Sequence, residues 1–226
     1  MYNLDDIKRM IDESSFLQTK LFNEKIIPTA INIKGMKMLD IHKLSKLIYD
    51  DSYDAFLNYN DHSIHELDVM HGDIITYIEN DDLRIKYLKE FVPLISNWLV
   101  LDNLCSHLKV KNKALYYPYL RSYLNSNHEY EIRFVAVLYL YDYLEDEYID
   151  DFFKDMDVLD TSNYYAMMGV AWATASAYPK YKDKTIEYLK TNNLDKTTHN
   201  KAISKMLDSY KISSEDKSML KTLKRI

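Results

Sequence analysis

The chain is poor in the residues that turn or break a backbone. Its 226 residues include three glycines and four prolines, far below ordinary usage of roughly 7% and 5%. Sheet proteins lean on Gly, Asn-Gly and Asp-Gly hairpin turns, so this scarcity argues against a sheet and for an all-α fold. Cysteine is almost missing as well. The single Cys105 cannot close an internal disulfide, which fits a reducing, cytoplasmic setting and argues against a secreted scaffold. No apolar run reaches the roughly 20 residues that a bilayer span needs. The most apolar one, "FVPLISNWLVL", carries Ser96 and Asn97. The N-terminal "MYNLDDIKRMIDESS" is charged and has no apolar segment of the signal-peptide kind. No membrane partner is therefore expected.

Positive charge is also in short supply. The net charge is −6, which argues mildly against nucleic acid as a partner. Its distribution is uneven. Residues 127–160 hold eleven Asp/Glu against Arg133 and Lys154, a net of −9. Residues 180–226 hold twelve Lys/Arg against six Asp/Glu, a net of +6. Residues 93–126 set Lys109, Lys111, Lys113 and Arg121 against Asp102, a net of +3. Such asymmetry can build a basic surface on an acidic protein, or can simply reflect uneven solvated faces.

What the chain does have is helical periodicity. In "DIHKLSKLIYD" the apolar positions Ile41, Leu44, Leu47 and Ile48 follow a helix face. "EIRFVAVLYLYDYL" is nearly continuously apolar from Phe134 to Tyr141, as in a helix buried on most sides. "NYYAMMGVAWATASAYP" reads as a helix capped near Thr161 or Ser162 and ended before Pro179. Its Ala171, Ala173, Ala175 and Ala177 would allow neighbouring helices to approach closely. Breaks recur at Pro93, "NSNHE", "DTSN" and "NNLD", about 32 to 35 residues apart. They enclose helix pairs over 93–109 with 111–125, 130–145 with 147–158, 162–178 with 180–191, and 195–210 with 213–225. The first half adds two or three pairs that are less clearly marked. Helix pairs at this period predict an α-solenoid of antiparallel pairs with a concave groove. No linker interrupts it, so residues 1–226 read as one domain.

One constellation stands out in this frame. Trp98 and Asp102 are four residues apart, so they share a helix face. Arg133 falls in the next helix pair and Trp172 in the one after. Corresponding helices of successive pairs lie side by side in a solenoid, so the four residues can line one patch if all point the same way. Tryptophans in helical proteins are more often core, and an arginine with an aspartate can be a plain ion pair.

Several segments together resemble the AlkD-type DNA alkylation repair family: "ISNWLVLDNLCSHLK", "EIRFVAVLYLYDYLEDEYIDDFF", "YYAMMGVAWATASAYPKY" and "NKAISKMLDSYKISSEDKSMLKTLKR". "IKGMKMLDIHKLSKLI" is similar to that family's N-terminal segment, in which a glycine precedes a basic, leucine-rich helix. The resemblance runs from about residue 30 to the C-terminus. It implies a monomeric solenoid of HEAT-like helix pairs that holds duplex DNA with alkylated bases. It implies a monofunctional glycosylase for cationic N3- or N7-methylated purines. The family's catalytic aspartate falls on Asp102, its two tryptophans on Trp98 and Trp172, and its backbone-contacting arginine on Arg133.

Chemistry gives each implied role a reason. A cationic purine is already a good leaving group and needs no general acid. Charge moves to the sugar as an oxocarbenium ion, as in glycoside hydrolysis generally. A carboxylate at that point stabilises the charge or orients the attacking water, and one such group contributes about 3 kcal/mol. Two indole faces add cation–π attraction of about 0.5–2 kcal/mol each. Arg133 would grip a phosphate bidentately. The family is implied to act without drawing the base into a deep pocket, unlike most glycosylases, so no base-sized cavity is expected. Lys109, Lys111, Lys113, Arg121, Lys180, Lys182, Lys184, Lys201 and Lys205 are the candidates for the DNA backbone.

Two features support the alternative, a non-catalytic HEAT-like scaffold for DNA or a protein. Active family members often flank the arginine with further basic residues, whereas "YEIRFVAV" has Arg133 alone beside Glu129 and Glu131. The overall charge is also acidic. Elsewhere, His62, His65 and His71 lie near Glu66 and Asp68, but no second histidine stands three beyond the glutamate as a zinc protease requires. Neither metal nor cofactor is expected. The run Glu145, Asp146, Glu147, Asp150 and Asp151 reads as a solvated rim, and Cys105 as a small buried hydrophobe.

Overall fold

A computed structural model describes residues 2–226. Among them there are thirteen α-helices and no strand, in line with the all-α expectation. The chain forms two compact units that divide after Lys109.

The first unit holds α1 (Leu4–Glu13), α2 (Leu17–Ile26), α3 (Met38–Tyr59), α4 (His65–Tyr77), α5 (Asp81–Phe91) and α6 (Trp98–Leu108). Its centre is α4, which packs against α3, α5 and α6. The chain before α3 is tied down by polar contacts. Glu66, fully buried in the first turn of α4, accepts the backbone N–H groups of Lys34 (3.1 Å), Gly35 (2.7 Å) and Met36 (3.3 Å). Gly35 sits at φ +101°, and a Cβ there would lie 2.5 Å from the Phe16 carbonyl oxygen and 2.6 Å from the Lys20 nitrogen. Only glycine tolerates both conditions. The glycine before the basic, leucine-rich helix is thus the point where α2 crosses the chain.

The second unit holds α7 (Lys113–Arg121), α8 (Glu129–Leu138), α9 (Ile149–Val158), α10 (Tyr164–Ala177), α11 (Lys182–Thr191), α12 (Lys196–Asp208) and α13 (Ser214–Thr222). Its centre is α10, which packs against both α8 and α12. Fully buried Ala166, Val170, Ala171, Ala173 and Ala177 keep that helix thin. Gly169 adds a close approach of its own. A Cβ at Gly169 would stand 3.1 Å from Cγ of Arg133 on α8. Beyond α8 the chain widens into a π-helical turn, Tyr139–Tyr143, a feature common near functional sites.

Helix ends differ from the sequence expectation where side chains compete for caps. The helix expected from residue 93 begins at Trp98. Pro93 instead lies in a 3-10 turn, Val92–Leu94, and the Asn97 side chain caps α6 by accepting the Val100 N–H at 3.1 Å. α10 starts after Asn163, and Thr161 donates to Asp195 instead of capping it.

Polar contacts repeat at a constant step. Arg133 with Tyr165, Tyr117 with Asp151, Arg121 with Asp155, Lys182 with Asp216, and His42 with Asp73 are all separated by 31 to 34 residues. That step matches the spacing of the breaks in the sequence. Among the described residues, no helix is long and apolar enough to cross a membrane.

Candidate functional site

α6 supplies two of the four candidate residues. Val100, Leu101, Leu104, Cys105 and Leu108 form its buried face. Trp98 and Asp102 lie one turn apart at the border of that face, and both are half-buried. The indole N–H of Trp98 donates to the Ile26 carbonyl at the end of α2, 3.1 Å away. The residues preceding α3 thus fix one edge of the Trp98 ring. Lys109 closes α6 in the left-handed conformation, φ +46°. This position favours glycine and costs a lysine about 1 kcal/mol. The side chain of Lys109 is exposed.

The second unit supplies the other two. Arg133, on α8, is 6% exposed. Its Nη1 donates to the Tyr165 carbonyl at 2.9 Å, and the Tyr165 N–H donates to Glu129 Oε1 at 2.5 Å. Glu129, which read as a negative neighbour that weakens the basic patch, bonds the start of α10. Trp172 is half-buried on α10. The ring of Tyr141, an exposed residue of the π-helical turn, meets it edge-on at 6.1 Å and 89°.

Most of the proposed backbone contacts have structural duties. Lys113 pairs with Glu145 at 2.6 Å, Arg121 with Asp155 at 2.8 Å, and Lys182 with Asp216 at 2.6 Å. Lys180 donates to the Leu144 carbonyl at 3.0 Å, and Lys184 pairs with Asp150 at 2.6 Å. Lys111 is exposed, and Lys201 and Lys205 are half-buried on α12.

The acidic run is exposed at Glu145, Asp146, Glu147 and Asp150, as expected of a solvated rim, and it is also paired. It is a seam with partners from helices before and after it: Lys113 and Tyr117 from α7, Tyr181 and Lys184 from the start of α11. At its inner edge Asp155 is buried and accepts from Tyr139 at 2.6 Å as well as from Arg121. Burial first, and then the bond to Asp155, push the Tyr139 hydroxyl far above its ordinary pKa.

The three clustered histidines serve packing. His71 stacks on Phe91 at 4.2 Å and 17°, and its Nδ1 lies 3.1 Å from Asn60 Nδ2. The amide donates, so this imidazole is neutral. Burial, reinforced by the neighbouring His62, lowers its pKa from 6.5 to about 3. His62 bonds Asp68 at 2.6 Å. Among the described residues, no three His, Cys, Asp or Glu side chains gather to hold a metal.

Sequence reasoning missed a polar hub in the first unit. Asp73 of α4 is 1% exposed and accepts from His42 Nδ1 at 2.7 Å, Ser45 Oγ at 2.9 Å and Asn103 Nδ2 at 2.8 Å. It links α3, α4 and α6. The signal was an aspartate within the mostly apolar stretch "MHGDIITY", one repeat step from His42.

Comparison with protein-family models, with curated proteins and with solved structures returns no match.

Proposed function

We propose that this chain is a DNA glycosylase that removes cationic N-alkylated purines, of the 3-methyladenine or 7-methylguanine type, from duplex DNA. The observation that carries this is on α6. Trp98 and Asp102 lie one turn apart on the part of the helix that reaches solvent, beside its buried apolar face. An anion next to an indole face suits a sugar that turns cationic as the base departs. Asp102 takes the electrostatic role, and Trp98 and Trp172 take the faces of the charged nucleotide. Arg133 takes the phosphate, for which it must exchange its bond to the Tyr165 carbonyl. The helix pairs that stack in each unit are HEAT-like repeats of a solenoid on this view, and the protein acts as a monomer without cofactor.

A non-catalytic scaffold for DNA or a protein is favoured by a different observation. Arg133 is buried, and Lys113, Arg121 and Lys182 already face carboxylates within the second unit. A surface whose cations are neutralised internally releases few counterions on binding DNA.

The two are separated by one assay. Duplex DNA with a single N7-methylguanine is incubated with the protein, and released base is quantified by chromatography. Wild type should release base above background, and Asp102→Asn should slow release by about 10²–10³. Equal background rates for both would remove the enzyme. A gel-shift salt series that shows no binding even at low salt would leave a protein-binding scaffold.

A further inference from the structure

We propose that His42 and His107 form a surface site for one divalent transition-metal ion of the zinc or copper type. His42 projects from α3 and His107 from α6, both in the first unit. Their ring centroids are 5.2 Å apart with the planes at 54°. An imidazole that binds zinc at about 2.0–2.1 Å places its ring centre roughly 3.2 Å from the ion, and two such rings at a tetrahedral angle are roughly 5 Å apart. The observed spacing therefore suits two rings that share an ion.

The tautomers are set for the same role. His42 Nδ1 lies 2.7 Å from Asp73 Oδ2. A carboxylate oxygen only accepts, so the proton is on Nδ1. His107 Nδ1 lies 2.9 Å from the Asn103 carbonyl oxygen, which imposes the same tautomer; Ser106 Oγ lies 3.1 Å from that nitrogen. In its neutral form each ring thus keeps its lone pair on Nε2. Metal-binding histidines commonly donate the other ring N–H to a carboxylate or a backbone carbonyl, which orients the ring and raises its basicity. Here one ring has each kind of support.

Asp73 strengthens the case. Ser45 and Asn103 fix it from two further directions, so the half-exposed His42 is held by a rigid, buried carboxylate. His107 is exposed in the last turn of α6, so an ion can reach the pair from solvent. Imidazole nitrogens suit zinc, copper and nickel. Two protein ligands leave the remaining positions to water or to an anionic ligand, so the site is open. It rests on the first unit alone and is independent of base excision.

The test is titration of the full, untagged chain with zinc chloride by calorimetry and with cobalt(II) by visible absorption. One equivalent should bind saturably. His107→Gln and His42→Gln should each weaken binding by about tenfold or more, and Asp73→Asn by about 10- to 100-fold. His128→Gln, at an exposed histidine of the second unit, should leave it unchanged. His107 lies on the surface, so circular dichroism should show the wild-type fold for its variant. No saturable uptake, or an affinity unchanged in His107→Gln, would overturn the site.

Discussion

The central helices of the two units occupy equivalent positions and are built from opposite chemistry. In the first unit α4, "HELDVMHGDIITY", buries His65, Glu66, Asp68, His71 and Asp73. In the second unit α10, "YYAMMGVAWATASA", buries alanines, a glycine and Thr174, and carries no charge at all. Buried ionisable groups are costly unless each is paired or hydrogen-bonded. In α4 every carboxylate is engaged. Glu66 holds the backbone before α3, Asp68 takes His62, and Asp73 joins three helices. In α10 the packing depends on proximity. Small side chains let α8 and α12 close on it, and ion pairs join α7 to α9, α9 to α11 and α11 to α13. The lesson is that one packing role can be filled by a polar lock or by close fit, and the two fail differently.

The sharpest break should come at Glu66. Glu66→Ala would leave the N–H groups of Lys34, Gly35 and Met36 without their acceptor, two of them buried. A loss of about 3 to 5 kcal/mol in urea unfolding is expected. A loss below about 1 kcal/mol would mean that the polar lock is not what stabilises the first unit.

Next is acid. His71 is held neutral, with a pKa lowered from 6.5 to about 3. The unfolded chain binds one more proton than the native one across that window. His71 therefore contributes stability that is fully present above about pH 6.5 and is lost as pH falls toward 3. The slope is about 1.4 kcal/mol per pH unit. His71→Gln keeps an acceptor for Asn60 and should flatten the stability profile between pH 6 and 4 by about one proton. Parallel profiles for variant and wild type would refute the buried neutral imidazole.

The smallest effect should have the opposite sign and lie in the second unit. Thr174 of α10 is fully buried, and its hydroxyl has no hydrogen-bond partner among the described residues. Thr174→Val removes an unsatisfied polar group at nearly constant volume. It should stabilise by about 1 kcal/mol, read as a higher urea midpoint. Destabilisation would show that α10 too depends on polar contacts.

Much of this was legible in the residues. The rarity of glycine and proline and the helical periodicity gave the all-α class, and the spaced breaks gave the helix pairs from residue 111 onward with shifted ends. Trp98 and Asp102, four apart, had to share a face of α6, and they do. The errors came where side chains competed locally. Asn97 capped α6 and delayed its start to Trp98. The acidic run is exposed, as a solvated rim is, and what sequence did not show is its partners. Lys113 and Lys184 lie more than 30 residues from the Glu145 and Asp150 that they pair with.

By itself, the sequence determined which segments are helical, roughly where they stop, and which residues share a stripe. Those properties depend on contacts within one or two turns, so capping, periodicity and turn chemistry are enough to settle them. Tertiary structure decided which charges are neutralised, that Arg133 is buried against Tyr165, that Trp98 is tied to Ile26, and that His42 meets His107 over Asp73. Each of these joins atoms on helices distant along the chain. Their distances are set by how buried faces interlock, and no local pattern of residues encodes that.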